Sequence, residues 1–380
     1  MVLDTEHLRR LFERSAAGRV ALGPQVVDGV IAWGPLASID DLPTGAHDEQ
    51  APGRYRLTVD TSGHDTSRFG WAVGPQTTKP ILHPPHSDVW TIRREGAGFQ
   101  VTMAHHPTTP RLLFGARPCE VAAMHKLDCV LTEGPHPDPT ATANRADRLV
   151  IAVDCTHPAA TCFCASMGTG PACEDGADLV LTELAGPGGT PSYLARALTE
   201  RGAHLLGGLG APSASPAELA SGRAAVDHAA AVQVRHVDRD GIPAVLRDGA
   251  ELGVWDDVAS RCLACGNCTA VCPTCSCTDV RDTTTLDGTE ATRTRHWDTC
   301  FSLQFSRIAG RPVRSSVRSR YRQWLTHKLG TWFDQFGESG CVGCGRCITW
   351  CPVGIDLTVE ATELARAAAA LSGTAGDGAP

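Results

Sequence analysis

The chain has 380 residues, a formal net charge of −8 and 17 cysteines. That length accommodates two or three domains with a sizeable core. Its mild acidity argues against wholesale nucleic-acid binding, and the lack of an apolar run of about 18 residues argues against a membrane-spanning helix. The N-terminal stretch MVLDTEHLRRLFERSAAGR is charged and has no signal-peptide apolar core, so a cytoplasmic location is expected. Thiols stay reduced there, which turns the cysteines away from a disulfide framework and toward metal or redox chemistry.

Residues 1–20 read as a short amphipathic helix. Residues 54–60 (RYRLTVD) alternate as a strand does, and so do residues 99–103 (FQVTM). RLLFGA (111–116) is a short apolar run leading into RPCEVAAMHKLD, where Pro118 stands at a helix start. RLVIAVDC (148–155) and ADLVLTEL (177–184) read as buried strands, whereas PSYLARALTERGAHLL (191–206) and AVLRDGAELGVWDDVASR (244–261) read as helices. Strands alternating with helices predict an α/β domain with a partly parallel sheet over residues 1–250. GGLGAPSASPAELASG (207–222) suggests a boundary region. Residues 251–371 are expected to form an α-helical dicluster ferredoxin-like domain with a long insert between its two motifs, and residues 372–380 a disordered tail. There is no G-x-G-x-x-G after a strand, no P-loop and no H-E-x-x-H.

Two motifs carry the chemistry. CLACGNCTAVCP contains Cys262, Cys265, Cys268 and Cys272; CVGCGRCITWCP contains Cys341, Cys344, Cys347 and Cys351. Both have the x2, x2, x3 spacing and trailing proline of bacterial ferredoxins that bind [4Fe–4S] clusters. Three thiolates on a tight loop reach three irons of one cubane, and the fourth cysteine ligates the other cluster. By that rule cluster one takes Cys262, Cys265, Cys268 and Cys351; cluster two takes Cys341, Cys344, Cys347 and Cys272. Structural zinc, in a scaffold or a nucleic-acid-binding protein, is the alternative of another class; it explains two complete copies poorly. Metal content separates the two readings.

Residues 273–340 separate the motifs. From Phe301 to Gly330 this insert carries Arg307, Arg311, Arg314, Arg318, Arg320, Arg322 and Lys328 and no acidic residue. It reads as a solvated face, as compensation for anionic clusters, or as a docking site for an acidic partner. Tyr321 and Trp324 beside it read as packing residues. Cys275, Cys277 and Cys300 have no complete ligand set nearby in sequence and stand equally well as buried thiols.

A further cysteine group lies upstream. Cys119 follows the RLLFGA strand and Cys155 ends the RLVIAVD strand; Cys162 and Cys164 follow in the loop. If the strands are parallel neighbours, both thiols emerge at the carboxyl edge of the sheet, where open α/β sheets bind ligands. The helix starting at Pro118 would aim N–H dipoles at an anion, and Gly168 and Gly170 would let the backbone pass close. Cys119, Cys155, Cys162 and Cys164 are therefore expected to bind a third [4Fe–4S] cluster. Cys173 or Cys129 could replace one of them.

LFGARPCEVAAMHKLD, VDCTHPAATCFCASMGTGP, CLACGNCTAVCPTCSC, HWDTCFSLQFSRIAG, RYRQWLTHKL and GCVGCGRCITWCPVGIDL occur in this order. In this order they resemble the iron–sulfur (beta) subunit of cytoplasmic NAD(P)-linked [NiFe] hydrogenases of the sulfhydrogenase type, to which the A subunit of anaerobic sulfite reductase is related. The resemblance spans roughly residues 75–357. It implies a non-catalytic electron-transfer subunit, with partners in a flavin/NAD(P)-binding subunit and the small and large [NiFe] hydrogenase subunits. A relay in a sulfite-reductase-type complex is the alternative within the class. Neither nucleic acid nor membrane is an expected partner.

Overall fold

The computed structural model describes residues 1–105, 108–186 and 189–374. Its main sheet contains seven strands: β1 (Val2–Leu3), β2 (Val20–Val27), β3 (Val30–Pro35), β4 (Arg111–Ala116), β5 (Arg148–Val153), β6 (Leu179–Ala185) and β7 (Pro191–Ala197). Their order is β1-β7-β6-β5-β4-β2-β3. The four central strands, β6-β5-β4-β2, run parallel, and the remaining pairs are antiparallel. The sheet is thus mixed, with a parallel centre, and β4 and β5 are parallel neighbours.

Side-chain alternation divides the central strands between two cores. Leu112, Phe114, Leu149, Ile151 and Val153 face one core with Leu8, Leu11 and Phe12 of the helix Thr5–Ala16. Leu113, Val150 and Ala152 face the other, with Val121 and Met124 of the helix Pro118–Thr132. Burial on both faces is why β4 and β5 read as continuous apolar runs. The helix Pro118–Thr132 begins at its proline, directly after β4.

Three expectations are corrected. The stretch 191–206 is not one helix: Pro191–Ala197 pairs antiparallel with β6, and a helix follows only at Glu200–Gly207. The stretch 244–261 is not one helix: Ile242–Asp248 and Val254–Arg261 are separate helices. The region after residue 250 is not purely helical. Its insert forms a hairpin, Thr278–Thr284 and Glu290–Trp297, which pairs with a second hairpin, His86–Glu95 and Gly98–Met103. One four-stranded antiparallel sheet therefore draws strands from both sides of residue 250.

A third core surrounds the cysteine motifs, with Trp255, Phe301, Tyr321, Trp324, Leu329, Ile348 and Leu364 buried. Tyr321 and Trp324 pack at a 5.4 Å ring separation, as packing residues do. The last helix is Leu357–Thr374, and the expected tail lies outside the described residues from residue 375 onward. No helix among the described residues is long and apolar enough to cross a membrane.

Candidate metal centres

The two downstream motifs fold as near copies. Each loop turns at a left-handed glycine, Gly266 (φ 75°) or Gly345 (φ 74°), into a one-turn helix, Asn267–Ala270 or Arg346–Thr349. Backbone donors point at the sulfurs. Ala264 N–H donates to Cys262 Sγ at 3.4 Å, Gly343 N–H to Cys341 Sγ at 3.3 Å, and Ile355 N–H to Cys351 Sγ at 3.3 Å. Such N–H···S contacts stabilise thiolate and are a main protein control over cluster potential.

A cavity is lined by Cys262, Cys265, Cys268 and Cys351, with Phe301, Tyr321 and Trp324 in its walls. These four are the cysteines that the crossed ferredoxin rule assigns to one cluster, and Cys347 also reaches the wall. Cys272 is not among the residues lining it. Burial pushes the Cys347 thiol well up, and the neighbouring Cys341, Cys344 and Cys272 sulfurs add to the effect. Cys272 Sγ also lies 3.3 Å from Lys328 Nζ. Lys328 is buried, and its other contacts are Thr274 Oγ1 at 2.8 Å and the Gly340 carbonyl at 3.3 Å. None of these is a carboxylate. A buried ammonium in that setting requires an anion, and a thiolate-held cluster supplies one.

Cys119, Cys155, Cys162 and Cys164 are all buried. The Cys162 thiol is pushed well up by burial, then by Cys164, Cys155 and Cys344; the Cys164 thiol reaches about 12, by burial and then Cys155. Cys119 and Cys164 share an apolar cluster with Cys344. The four upstream thiols thus gather at the carboxyl edge of β4 and β5, beside the second downstream motif. Cys173 and Cys129 do not join them. Cys173 Sγ donates to the Asp175 carbonyl at 3.4 Å, and Cys129 sits 3.7 Å from His125 Nε2, farther along its helix.

Two buried arginines, which sequence reasoning did not single out, accompany this group. Arg117 donates to the Asp154 carbonyl at 3.1 Å and the Phe69 carbonyl at 2.8 Å, stacks on Trp71 and leaves its Nε without a partner. Arg346 pairs with Glu120 at 2.7 Å, and its Nη1 is a buried donor without a partner. Burial pulls the Arg346 guanidinium down, and Glu120, then the Cys344 and Cys119 sulfurs, more than offset it. Orphaned guanidinium donors beside clustered thiols suit the sulfides of an iron–sulfur cluster. RPCE and GRC contain these arginines, but nothing local in sequence ties Arg346 to Cys119.

Close contact joins the upstream loop to the second motif. Phe163 N–H donates to the Gly343 carbonyl at 2.8 Å, Thr169 Oγ1 to the Val342 carbonyl at 2.7 Å, and Thr161 Oγ1 meets Thr349 Oγ1 at 2.7 Å. A Cβ on Gly345 would stand 2.5 Å from the Thr161 carbonyl oxygen, so glycine is required there by approach as well as by φ. Among the described residues, no group of three or more His, Cys, Asp or Glu side chains is gathered to hold a single metal ion. A cubane makes no such demand, because each thiolate binds its own iron.

The basic insert divides by role. Arg318 and Arg322 pair with Glu251, Arg320 donates to the Phe301 carbonyl at 2.7 Å, and Lys328 serves Cys272. Arg307 and Arg311 are exposed.

Residues 261–355 match the family described as 4Fe-4S dicluster domain. With the geometry above, this defines an iron–sulfur electron-transfer protein carrying [4Fe–4S] clusters. The chain is 33% identical over 251 residues to sulfhydrogenase 2 subunit beta of Pyrococcus furiosus, an alignment covering 64% of this chain and 71% of that one. The chain belongs to the family of sulfhydrogenase iron–sulfur beta subunits. No solved structure matches it.

Proposed function

We propose that this chain relays single electrons between a flavin/NAD(P)-binding subunit and the small and large subunits of a [NiFe] hydrogenase, through the two ferredoxin-type [4Fe–4S] clusters and a third. Cys262, Cys265, Cys268 and Cys351 hold the first, Cys341, Cys344, Cys347 and Cys272 the second, and Cys119, Cys155, Cys162 and Cys164 the third. A [4Fe–4S] cluster accepts and returns one electron at a potential set by its surroundings. The chain supplies those surroundings. Lys328 and the backbone N–H donors favour the more negative state of the downstream pair, and Arg117 and Arg346 do so for the upstream group.

The observation that carries this reading is the direct hydrogen bonding of the 161–169 loop to the 342–349 motif. It supports a continuous row: the cavity group, then Cys347 and Cys344, then Cys164 and Cys119. Nothing in this arrangement requires a general acid or base, and none is assigned.

The test is purification under anaerobic conditions, alone and with the flavin and hydrogenase subunits. The chain alone should neither oxidise hydrogen nor reduce NAD(P), and should join a complex that does. Turnover by the isolated chain would overturn the relay reading. The Cys162→Ser/Cys164→Ser variant should lose about four irons relative to its parent, one cubane's worth. An unchanged iron content would remove the third cluster.

A further inference from the structure

Three cysteines remain outside the twelve assigned above and close to the ferredoxin pair: Cys275, Cys277 and Cys300. The structure gives them a common setting. An open cavity is lined by Cys275, Cys277, Lys79, Trp297, Asp298 and Cys265, among others. Cys300 follows that wall two residues after Asp298, whose N–H donates to the Cys277 carbonyl at 2.9 Å. The sequence brings the three together by two routes. Cys275 and Cys277 leave the first ferredoxin motif and enter the strand Thr278–Thr284; Cys300 follows the partner strand Glu290–Trp297. Pairing of Thr278 with Trp297 at the open end of that hairpin returns the chain to the same place.

The buried cation at this place has no anion in direct contact. Lys79 is 2% exposed, and its ammonium contacts are the Thr269 carbonyl at 3.2 Å, the Ala270 carbonyl at 3.1 Å and the Trp297 ring at 4.0 Å. None is anionic. Cys275 and Cys277 line the same cavity as this ammonium. The cluster bound through Cys272 already has Lys328 against its sulfur. A second buried cation, on a cavity wall that also carries Cys275 and Cys277, calls for an anionic group there.

We propose that Cys275, Cys277 and Cys300 form a fourth iron–sulfur site, with Lys79 as its buried counter-ion. Three thiolates hold three irons of a cubane and leave one iron for another ligand. The Asp298 carboxylate, on the same cavity wall, is placed to provide it. The site adjoins both downstream clusters: Cys268 counts Cys300 among its neighbours, and Cys275 lies against Cys272. The inference rests on the iron–sulfur reading above, but not on the third cluster.

The test uses the full chain with its partner subunits, purified anaerobically, and compares iron and zinc content with EPR spectra. The Cys277→Ser/Cys300→Ser variant should lose about four irons relative to its parent and keep the EPR signals of the ferredoxin pair. The Cys162→Ser/Cys164→Ser variant reports on the third cluster separately, so the two ideas fail independently. Parental iron content in Cys277→Ser/Cys300→Ser, or zinc in place of iron at these thiols, would overturn the proposal. Should that variant also lose the ferredoxin signals, alkylation of the parent protein decides. Protection of Cys275, Cys277 and Cys300 until a chelator strips the iron supports the site; prompt labelling of all three in the loaded protein overturns it.

Discussion

The Phe163 N–H donates to the Gly343 carbonyl at 2.8 Å, and this bond fastens the loop of Cys162 and Cys164 to the loop of Cys341 and Cys344. The approach is so close that a Cβ on Gly343 would stand 2.7 Å from Cys164 Cα, in a backbone already at φ +63°. Gly343→Ala combines left-handed strain of about 1–2 kcal/mol with a collision against backbone that cannot swing aside. Gly18→Ala, at φ +73° with open space around it, carries the strain alone. Gly343→Ala should lower the melting temperature well beyond the Gly18→Ala control and release iron. Equal melting curves for the two variants would contradict the close packing of these loops.

Lys328 puts a buried positive charge 3.3 Å from Cys272 Sγ. A cation stabilises the reduced, more negative cluster, so Lys328→Met should lower one midpoint potential by about 60–120 mV, one to two decades in a one-electron equilibrium. EPR-monitored redox titration reads it. The shifted cluster should be the one that Cys272→Ser damages, namely the cluster of Cys341, Cys344 and Cys347. An unmoved or raised potential would count against the assigned role of the ammonium.

Glu120 and Arg346 form an ion pair at 2.7 Å, with both side chains almost wholly buried. Removing one partner strands the other charge. Glu120→Ala should cost about 3–5 kcal/mol of stability, measured by denaturant unfolding of the loaded protein. A loss below about 1 kcal/mol would place the pair in a far wetter setting than its burial indicates.

The thiols give a pH dependence whose sign is fixed. Burial chiefly raises Cys164 and Cys341 to about 12, from an ordinary value of 9.0. In the metal-free folded chain these thiols keep their protons through a pH range where the unfolded chain loses them. Stability of the metal-free chain should therefore be full below pH 9 and fall as pH rises from about 9 toward 12. On the proposed ligation, cluster loading deprotonates the same thiols, so the loaded protein should not show this decline. Thermal melts of both forms at pH 8 and pH 10 check it; a metal-free form equally stable at both would be the adverse result.

How much of this was legible in the sequence depended on whether the signal was local. β4 and β5 were readable because central parallel strands, buried on both faces, give unbroken apolar runs. Pro118 marked its helix because proline suits a first helical position. Pro191–Ala197 was misread: its Leu- and Ala-rich continuation has helical propensity, and strand pairing with β6 overrode it. The hairpin 278–297 was missed, although Asp287-Gly288 between Thr-rich alternating segments is a turn signal of the usual kind. The ferredoxin cysteines announce themselves by spacing. Lys79, Arg117 and Arg346 do not, because each acts on sulfurs distant in sequence and only the fold brings them together.

The cavity lined by Cys262, Cys265, Cys268 and Cys351 has a consequence for how the protein is made. Its walls come from segments more than 80 residues apart. During synthesis the first three thiols leave the ribosome well before the fourth. Domains commonly fold as they emerge, but this one cannot enclose its first cavity until Cys351 is available. Through that interval its thiols are open to oxygen and to stray metal ions. Iron delivery to this cavity therefore follows the synthesis of Cys351, and its yield should depend on how well the nascent thiols are kept reduced.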